Sequence, residues 1–518
     1  MPGSRDGSLI HPRSARLLAS AIALVGLTRA LAGQGPPAGR GAQSLPRWIP
    51  DPESQLLPAP VPATVKDGFR LVTLGDLLYW RPVRAQIDSG MEAALRIVRD
   101  ADFATANLEG TFFDLRTKRI PPREGGILMV GAPELAEDIK NLGVRLVSKA
   151  NNHTVDWGTA GMNENRRLLE AAGLPYAGVG DNRQAARAAT FVDLPKGRVA
   201  VVSAASSFPA GSIPMDEDAE IPARAGISVL RTTSVHTVTA QEMAVLQRMD
   251  GVRRDAGLSI SGNGGGRGGA PAGRGGAIGD AATPQEITVL GQTYRLGPRS
   301  GWTWSMNPLD HFEILKEVHS AKKLADLVIF TIHAHEGPDA PGEGDGPYPA
   351  DFLPVLFHHV IDAGADVVAG HGSHALRGIE IYKGRPIFYG LSTFLFQGYI
   401  LATQDSRDGQ NIDPRYTSRG ETEVRLNGGP PPGAVDSTGL LGSWNVSILP
   451  VMTYEGGRAK EIRIYPVDVR RNAQSKQSGL PRLAPPELGR RILALMRELS
   501  APFGTQIQIE GNVGVIRP

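Results

Sequence analysis

The chain contains no cysteine among its 518 residues. Disulfide bonds and sites built on thiolates are therefore excluded, so any metal must be held by nitrogen and oxygen ligands. The chain also lacks an excess of charge of one sign, because 55 Lys and Arg residues balance 53 Asp and Glu residues. The pI of about 8.7 reflects only this small difference. Composition thus gives no reason to expect nucleic acid or an anionic membrane as a partner.

The apolar run near the N-terminus is too short to span a bilayer. It covers residues 17–27, whereas a membrane-spanning helix needs roughly 20 residues. Basic residues without a twin-arginine pair precede the run, and the small-residue pattern Ala30-Leu31-Ala32 follows it. This is the anatomy of a Sec-type signal peptide, 1–32, cleaved after Ala32. We expect an extracytoplasmic protein, which would touch a membrane only if the signal stayed uncleaved as an anchor.

Several stretches have compositions that do not build a core. Residues 33–66 are rich in Pro, Gly and Ala and are predicted to form a flexible linker. The main domain is expected at 67–470, with a disordered Gly-rich insertion at 257–284 and a polar loop at 404–433. An RGG-like run of this kind can bind RNA, but in an exported protein we favour a solvent-exposed insertion. Residues 471–518 are expected to pack a helix and a strand on the core.

Strand and helix patterns alternate from Phe69 onward. Strands are predicted at 71–74, 103–106 and 144–147, and helices at 91–98, 133–142 and 160–172. This alternation is typical of βαβ units in a largely parallel sheet. Two late hairpins, 379–382 with 386–389 and 444–453 with 462–469, suggest a second sheet packed on the first.

Five strand-like stretches end on residues that bind metal ions. They are 71–76, 103–109, 144–153, 327–335 and 365–374. A single such residue is most often a helix cap or a turn residue, but five of the eleven histidines fall on these ends together with Asp76 and Glu109. Because neighbouring parallel strands end at one rim of a sheet, the side chains can converge. The pattern predicts a metal-dependent hydrolytic site. His358 and His359 are instead explained as positions on a helix.

The motifs resemble those of a known family. They are GD at Gly75-Asp76, NLE at Asn107-Leu108-Glu109, ANNHxxDxG at 150–158, a histidine at His333, and GHxxHxxxGIExYxGxPIFY at 370–389. Over 69–396 they are similar to the CapA family of capsule-synthesis proteins, also called the poly-γ-glutamate synthesis type, which is similar in fold to calcineurin-like metallophosphoesterases. The resemblance implies an α/β (α+β) fold, a metallophosphatase-like αββα four-layer sandwich of two mixed sheets flanked by helices. Its centre would lie at the carboxyl rim of the first sheet.

The resemblance also implies a ligand set for two divalent ions. Asp76 and His374 would hold one ion, Asn152, His333 and His371 the other, and Glu109 would bridge them. A bridging carboxylate makes physical sense because two cations repel each other unless an anion lies between them. Mixed nitrogen and oxygen ligands suit Mn, Fe, Zn or Co.

His153 is implied to be the catalytic imidazole that protonates the leaving oxygen. Asp156 either orients His153 or caps the helix that follows. His335 shares a strand face with His333, so either imidazole can be the ligand. For Asn151 a turn role is favoured, and Arg224 and Arg377 are further candidates for anion contacts.

Two departures from the family pattern lie beside this set. The usual Trp-Gly after the first histidine is Ala334-His335 here, and the usual YSLGNF is replaced at 389–394. They bear on substrate specificity more than on metal binding.

We expect a metal-dependent phosphoester hydrolase linked to capsule or poly-γ-glutamate-type polymer synthesis. The alternatives are a non-catalytic envelope component for synthesis, tethering or export of an anionic polymer, and an amide hydrolase acting on a γ-linked chain. The partners would be a phosphoester or anionic polymer and the capsule synthesis machinery, with no nucleic acid.

Overall fold

The computed structural model of the chain describes residues 61–78, 81–114, 117–123, 128–255, 285–290, 292–338, 346–397, 445–469 and 479–518. All of them belong to one compact unit, Arg47–Pro518. The predicted signal peptide, the linker up to residue 60, the Gly-rich insertion and the polar loop lie outside the described residues. Among the helices that are described, none has the length and apolar character needed to cross a membrane.

The strands of the first part of the chain are β1 (Phe69–Leu78), β2 (Phe103–Leu108), β3 (Thr111–Phe112), β4 (Val130–Gly131), β5 (Leu146–Ser148), β6 (Tyr176–Ala177), β7 (Val179–Gly180), β8 (Thr190–Leu194), β9 (Gly197–Ala205), β10 (Gly226–Ile227), β11 (Thr232–Val238) and β12 (Glu286–Val289). Those that follow are β13 (Gln292–Leu296), β14 (Gly301–Met306), β15 (Leu327–His333), β16 (Val367–His371), β17 (Ile379–Tyr382), β18 (Arg385–Phe388), β19 (Thr393–Phe396), β20 (Val446–Glu455), β21 (Arg458–Asp468), β22 (Arg482–Leu483), β23 (Gln508–Glu510) and β24 (Val513–Ile516).

The helices are α1 (Ser89–Arg99), α2 (Leu135–Asn141), α3 (Gly158–Ala171), α4 (Arg183–Arg187), α5 (Ala240–Asp255), α6 (Pro308–Lys322), α7 (Phe352–Ala363) and α8 (Pro486–Ser500). Local signals explain where several begin. The Asp88 side chain caps α1 by accepting from the Gly90 and Met91 N–H groups, and Asn307 caps α6 in front of Pro308 in the same way.

Two large mixed sheets form the body of the protein. The first has ten strands in the order β23-β24-β21-β20-β1-β2-β5-β6, with β19 on β1 and β22 on β21. The second has six strands in the order β17-β18-β16-β15-β9-β8. In the second sheet β9, β15, β16 and β18 are parallel, and the edge strands β8 and β17 are antiparallel to their neighbours.

The sheets pack face to face, and helices cover their outer faces. Leu71 of β1 shares one buried cluster with Val201 and Ile329 of the second sheet. The neighbouring Val72 points the other way, into a cluster with α1, α2 and α3, and a third cluster joins the second sheet to α6 and α7. Strands buried on both faces read as continuous apolar runs. The αββα sandwich predicted from the sequence is confirmed.

Of the two late hairpins, the one formed by β17 and β18 lies in the second sheet as predicted, and the later one does not. Strands β20 and β21 do not build the second sheet but extend the first, since β20 pairs antiparallel with β1 through Leu71 and Met452. The second sheet is built from β8, β9 and β15 to β18. The hairpin is local, whereas the edge on which it docks is set by packing between distant segments, which the local pattern does not encode.

The linker also ends earlier than predicted. Ala63 and Val65 are buried, the Ala63 N–H donates to the Gly457 carbonyl and the Thr64 N–H donates to the Asp326 carbonyl. Residues 61–66 therefore pack on the core. A separate four-stranded sheet, β12-β13-β11-β14, was not predicted, because its strands are half-exposed and carry no clear alternation of apolar and polar residues.

Candidate metal centre

Two pairs of neighbouring strands, one in each sheet, bring the candidate ligands together. Asp76 of β1 is in register with Asn107 of β2, and His333 of β15 is in register with His371 of β16. All four side chains are buried. The candidate centre thus lies at the carboxyl rim of the first sheet, as predicted, and the carboxyl ends of strands from the second sheet meet it there.

Asp76 is fixed from two sides. Its Oδ1 accepts a hydrogen bond from Asn107 Nδ2 (2.8 Å) and its Oδ2 accepts one from the Gly372 N–H (3.1 Å). The strand does not stop at Asp76 but continues to Leu78 beside β19, with an irregularity after Asp76. A Cβ at Gly75 would overlap the Ser392 carbonyl oxygen, so the glycine lets the segment before β19 approach the site.

Glu109 lies among three imidazoles. Its Oε1 is 3.7 Å from His374 Nε2, 3.8 Å from His333 Nε2 and 3.9 Å from His153 Nε2. His374 also lies 3.2 Å from Asp76 Oδ2 through its Nδ1. One imidazole therefore stands between the two carboxylates.

Six of the candidate ligands fall into two groups of three. The ligand atoms of Asp76, His333 and His371 lie within 4.8 Å of one another, as do those of Glu109, His335 and His374. His335, which the sequence left open, lies close to the set: its Nε2 is 3.1 Å from His333 Nε2 and 3.4 Å from Asn152 Nδ2. His333 and His335 point to the same side of the chain because they lie two residues apart. We call the cluster on this side the cage; it consists of Asp76, Glu109, Asn152, His333, His335, His371 and His374.

The turn between His371 and His374 depends on one glycine. Gly372 has φ +93, and a Cβ there would lie 3.0 Å from His333 ring atoms. His374 itself has φ 48, a left-handed conformation that costs energy in a non-glycine residue. The Ser392 hydroxyl donates to the His374 carbonyl (2.9 Å). The chain thus turns both imidazoles back toward Asp76.

Burial shifts the pKa values of several side chains in the cage. It lowers the pKa of His371 to about 4 and the pKa of His335 to about 3, and it places the pKa of His333 well below 6.5, with neighbouring imidazoles adding to the effect for each. Burial also raises the pKa of Asp76, against the opposing influence of His371 and Asn107. These three imidazoles are therefore neutral at physiological pH, which is the form that binds metal.

The residues fit divalent metal ions. The set combines imidazole nitrogens, two carboxylates and an amide oxygen, the ligands that Mn, Fe, Zn and Co accept. Asn152 Oδ1 and His371 Nε2 are buried and make no hydrogen bond within the described part of the chain. Buried polar atoms without partners are uncommon in proteins and call for an explanation. A cation between the strand ends explains both.

His153 and Asp156 lie together at the edge of the cage. His153 Nδ1 is 2.8 Å from Asp156 Oδ2, and Asp156 Oδ2 also accepts from the Met129 N–H (2.7 Å). The helix α3 has Trp157 as its N-cap residue, without a side-chain cap. Of the two roles left open for Asp156, the structure places its carboxylate on His153 and not on the helix.

The other predicted residues have different surroundings. Arg377 is buried and donates to the Gly346 and Glu336 carbonyls (both 3.1 Å), and the exposed Arg224 donates to the Ile213 carbonyl (2.9 Å). Asn151 supports the turn, since its Oδ1 accepts from the His153 N–H. His358 is buried against Glu380 (2.9 Å), away from the set of ligands.

Sequence reasoning missed two supporting residues. Asn107 Nδ2 lies 3.2 Å from His333 Nδ1 in addition to its bond to Asp76. Lys149 is fully buried, and its Nζ donates to the Leu108 carbonyl (3.2 Å) and the Gly110 carbonyl, on both sides of Glu109. Burial lowers the pKa of Lys149 to about 7. The NLE motif contained the signal for Asn107, while a lysine inside an apolar run gave none for Lys149.

Comparison with solved structures adds little. A hypothetical protein from Thermus thermophilus is 15% identical with a TM-score of 0.32, covering 77% of this chain and 99% of that one. A putative 5'-nucleotidase from Staphylococcus aureus is 7% identical with a TM-score of 0.31, covering 75% of this chain and 52% of that one. Scores this low carry no argument.

Sequence comparison is more informative. The family model described as bacterial capsule synthesis protein PGA_cap matches residues 70–398, a range that contains every proposed ligand. An uncharacterized protein, y4sH, from Sinorhizobium fredii is 36% identical over 459 residues, which cover 88% of this chain and 94% of that protein. The capsule biosynthesis protein CapA from Bacillus anthracis is 22% identical over 357 residues, covering 67% of this chain and 64% of that protein. The chain belongs to the PGA_cap family of bacterial capsule synthesis proteins.

Proposed function

We propose that this protein is an extracytoplasmic, metal-dependent phosphoester hydrolase that acts in the synthesis of a capsule or poly-γ-glutamate-type polymer. The observation that supports it best is the pair of three-residue groups at the strand ends, Asp76 with His333 and His371, and Glu109 with His335 and His374. Groups this close, drawn from two sheets and buried, have few structural explanations, because burying two carboxylates without a cation is unfavourable.

The proposed ligands are Asp76, Glu109, Asn152, His333, His371, His374 and, from its position, His335. Two divalent ions bound by them would supply a water of lowered pKa and Lewis acidity toward a phosphoryl oxygen. The chain's own contribution is to hold these side chains in place. Asn107 and Gly372 orient the Asp76 carboxylate, and the Ser207 hydroxyl accepts from the His335 N–H (2.8 Å).

His153 is the proposed catalytic acid. Its Nδ1 faces Asp156 at 2.8 Å, and its Nε2 faces Glu109 at 3.9 Å. With Nδ1–H committed to the carboxylate, Nε2 is the nitrogen that can give a proton to a leaving oxygen beside the cage. Its side chain is 13% exposed, whereas that of Glu109 is 1% exposed, so His153 lies on the side from which a substrate enters.

The opening of the cage is formed by Asn152, His153 and His335. These three are partly exposed, while Asp76, His333, His371 and His374 are buried. An anionic substrate would therefore meet an amide and two imidazoles before it meets a carboxylate. This order of groups favours a phosphoester over a cationic substrate.

The test combines metal exchange with single substitutions. The purified protein is stripped with a chelator, reloaded with Mn, Fe, Zn or Co, and assayed on phosphomonoesters, phosphodiesters and nucleotides. We expect turnover that needs the metal. Asp76→Asn and His371→Gln should lose both metal and turnover, whereas His153→Gln should keep the metal and lose turnover by about 100-fold or more.

The competing functions give different results. If the protein binds metal but hydrolyses no phosphoester, and cells lacking it lose the polymer, the protein is a non-catalytic component of polymer assembly. The names of relatives, such as capsule biosynthesis protein CapA, are compatible with that role. Release of glutamate from a γ-linked chain by the metal-loaded protein would instead identify an amide hydrolase.

A further inference from the structure

The buried carboxylate of Asp156 makes several hydrogen bonds beside the candidate metal centre. Its side chain is 0% exposed. Oδ2 lies 2.8 Å from His153 Nδ1 and accepts from the Met129 N–H at 2.7 Å. Oδ1 accepts from the Arg123 Nε at 3.2 Å. Each oxygen thus has its own partners, and only Arg123 among these partners brings a permanent positive charge.

Arg123 and Met129 belong to the segment that connects β3 to β4, and this segment is attached to the turn of His153 at several points. The Arg123 N–H donates to the Asp156 carbonyl (2.8 Å), and the Trp157 indole N–H donates to the Met129 carbonyl (3.0 Å). Trp157 packs in a cluster with Phe113, Leu128 and Val130. The segment therefore holds the Asp156 carboxylate in a fixed orientation.

The charge of Arg123 matters because the carboxylate is buried. An ionised carboxylate away from water needs charged or well-aligned partners on both oxygens. Without the guanidinium, Oδ1 would lack this partner, and the carboxylate would gain freedom to rotate or to share a proton with His153. Groups that hold the partner of a catalytic imidazole commonly decide its tautomer and its direction.

We propose that Arg123 is a positioning residue for the hydrolytic reaction, fixing Asp156 so that His153 keeps Nδ1 against the carboxylate and points Nε2 toward Glu109. This inference rests on the proposed function for its chemistry, although the contacts stand without it. Arg123 lies in the segment between β3 and β4, outside the motifs quoted for the family resemblance.

The step that Arg123 would support is the departure of the leaving group. The water oxygen forms the new bond to phosphorus, and the bond from phosphorus to the leaving oxygen breaks with its electron pair on that oxygen. In the reactive form the His153 ring carries a proton on Nε2 as well as on Nδ1, and it gives the Nε2 proton to the leaving oxygen. The proton lost by the water afterwards restores the imidazolium. A poorly stabilised leaving group needs this proton most, whereas a good one needs it little.

Leaving-group dependence separates this role from a general structural one. The variants are Arg123→Gln, Arg123→Lys and, as a matched control, Arg119→Gln, because Arg119 is an exposed arginine in the same segment. Phenyl phosphate carries a poor leaving group and 4-nitrophenyl phosphate a good one. For Arg123→Gln we expect kcat to fall about 10-fold on the phenyl ester and less than about 3-fold on the nitrophenyl ester, as expected for an impaired general acid.

Arg123→Lys should recover part of the loss, because an ammonium can still pair with Asp156 Oδ1, and Arg119→Gln should leave both rates unchanged. Equal losses on the two esters in Arg123→Gln would overturn the proposal, since they would indicate a general disturbance of the site. Unchanged rates on both esters would overturn it as well.

A second measurement does not depend on activity. In ¹⁵N-histidine-labelled protein, the His153 resonances, assigned by their loss in His153→Gln, report which ring nitrogen carries the proton. For the neutral form of the ring we expect a single Nδ1–H tautomer in the native chain and a mixture in Arg123→Gln. An unchanged tautomer overturns the inference about Arg123. If the native protein cleaves neither ester while the tautomer responds as expected, the proposed function fails and the positioning role of Arg123 stands.

Discussion

His333 and His335 face each other with their Nε2 atoms 3.1 Å apart. The two residues lie two positions apart on the same face of the chain at the end of β15. Two neutral imidazoles at this distance can share only one hydrogen between these nitrogens. The arrangement disfavours adding a proton to either ring and favours a metal ion bound beside them.

A first prediction concerns the metal-free protein at mildly acidic pH. Burial holds the pKa of His333, His335 and His371 below 6.5 in the folded chain, so the unfolded chain binds more protons once the pH falls below about 6.5. Stability is therefore lost as the pH falls toward about 4, by up to about 1.4 kcal/mol per pH unit for each imidazole. Asp76 opposes this, because its raised pKa makes the folded carboxyl bind protons more tightly.

Chemical denaturation of chelator-treated protein at about pH 7 and about pH 5 measures this slope, in the range set by the lowered imidazole pKa values. Within the candidate centre three imidazoles act against one carboxyl, so the contribution of the centre to the free energy of unfolding should decrease with falling pH. His371→Gln should reduce the slope, because it removes one of the three groups. The same slope in His371→Gln and in the native chain would show that this histidine is not held neutral by the fold.

A second prediction concerns Asn107. Its amide lies between Asp76 Oδ1 (2.8 Å) and His333 Nδ1 (3.2 Å). Asn107→Ala should weaken metal binding by about 10- to 100-fold, as loss of a group that orients ligands commonly does. Titration calorimetry measures the affinity. Asn165→Ala is the control, since Asn165 is also buried but donates to the Phe112 carbonyl. Equal affinities for Asn107→Ala and the control would contradict the orienting role.

A third prediction concerns Lys149, whose ammonium donates to the carbonyls on either side of Glu109. Lys149→Met leaves two buried carbonyls without this donor and should lower the free energy of unfolding by about 1–3 kcal/mol. Lys140→Met, which removes an exposed lysine that donates to the Ala172 carbonyl, should cost less than about 1 kcal/mol. Urea unfolding measures the free energy of unfolding of both variants. Similar losses in the two would mean that the buried lysine does not hold the Glu109 segment.

A fourth prediction separates structural from metal-binding histidines. His358 lies 2.9 Å from Glu380, which also accepts from the Tyr389 hydroxyl (2.7 Å). His358→Gln should lower stability by about 1–3 kcal/mol and leave the metal content unchanged. Elemental analysis beside thermal unfolding checks both. Loss of metal in His358→Gln would show that this histidine belongs to the centre after all.

The sequence predicted the strand ends well because they combine two local signals. A run such as LVIFTI before His333 is apolar throughout and so indicates a strand buried on both faces, and polar residues after it have few other reasons to be there. The αββα layers followed from this alternation together with the family resemblance. Local pattern and global fold agree at these positions.

Contacts between segments that are far apart in the sequence could not be predicted. The docking of β20 on β1 depends on which sheet edge is open, and the division of ligands depends on how two sheets are set against each other. His335 shows this most clearly: its spacing from His333 gave the shared face, but only its proximity to Glu109 and His374 relates it to one group of ligands. Lys149 was missed for the same reason, because the carbonyls it contacts lie about forty residues away in sequence.

The most direct test of the account is the number of divalent ions bound per chain. Chelator-treated protein is reloaded with manganese or zinc, dialysed, and measured by elemental analysis, with Asp76→Asn and His371→Gln beside it and circular dichroism to verify folding. The account predicts about two ions per native chain, as in two-metal hydrolytic centres, with a clear loss in both variants. A folded native protein that retains no divalent ion would contradict it.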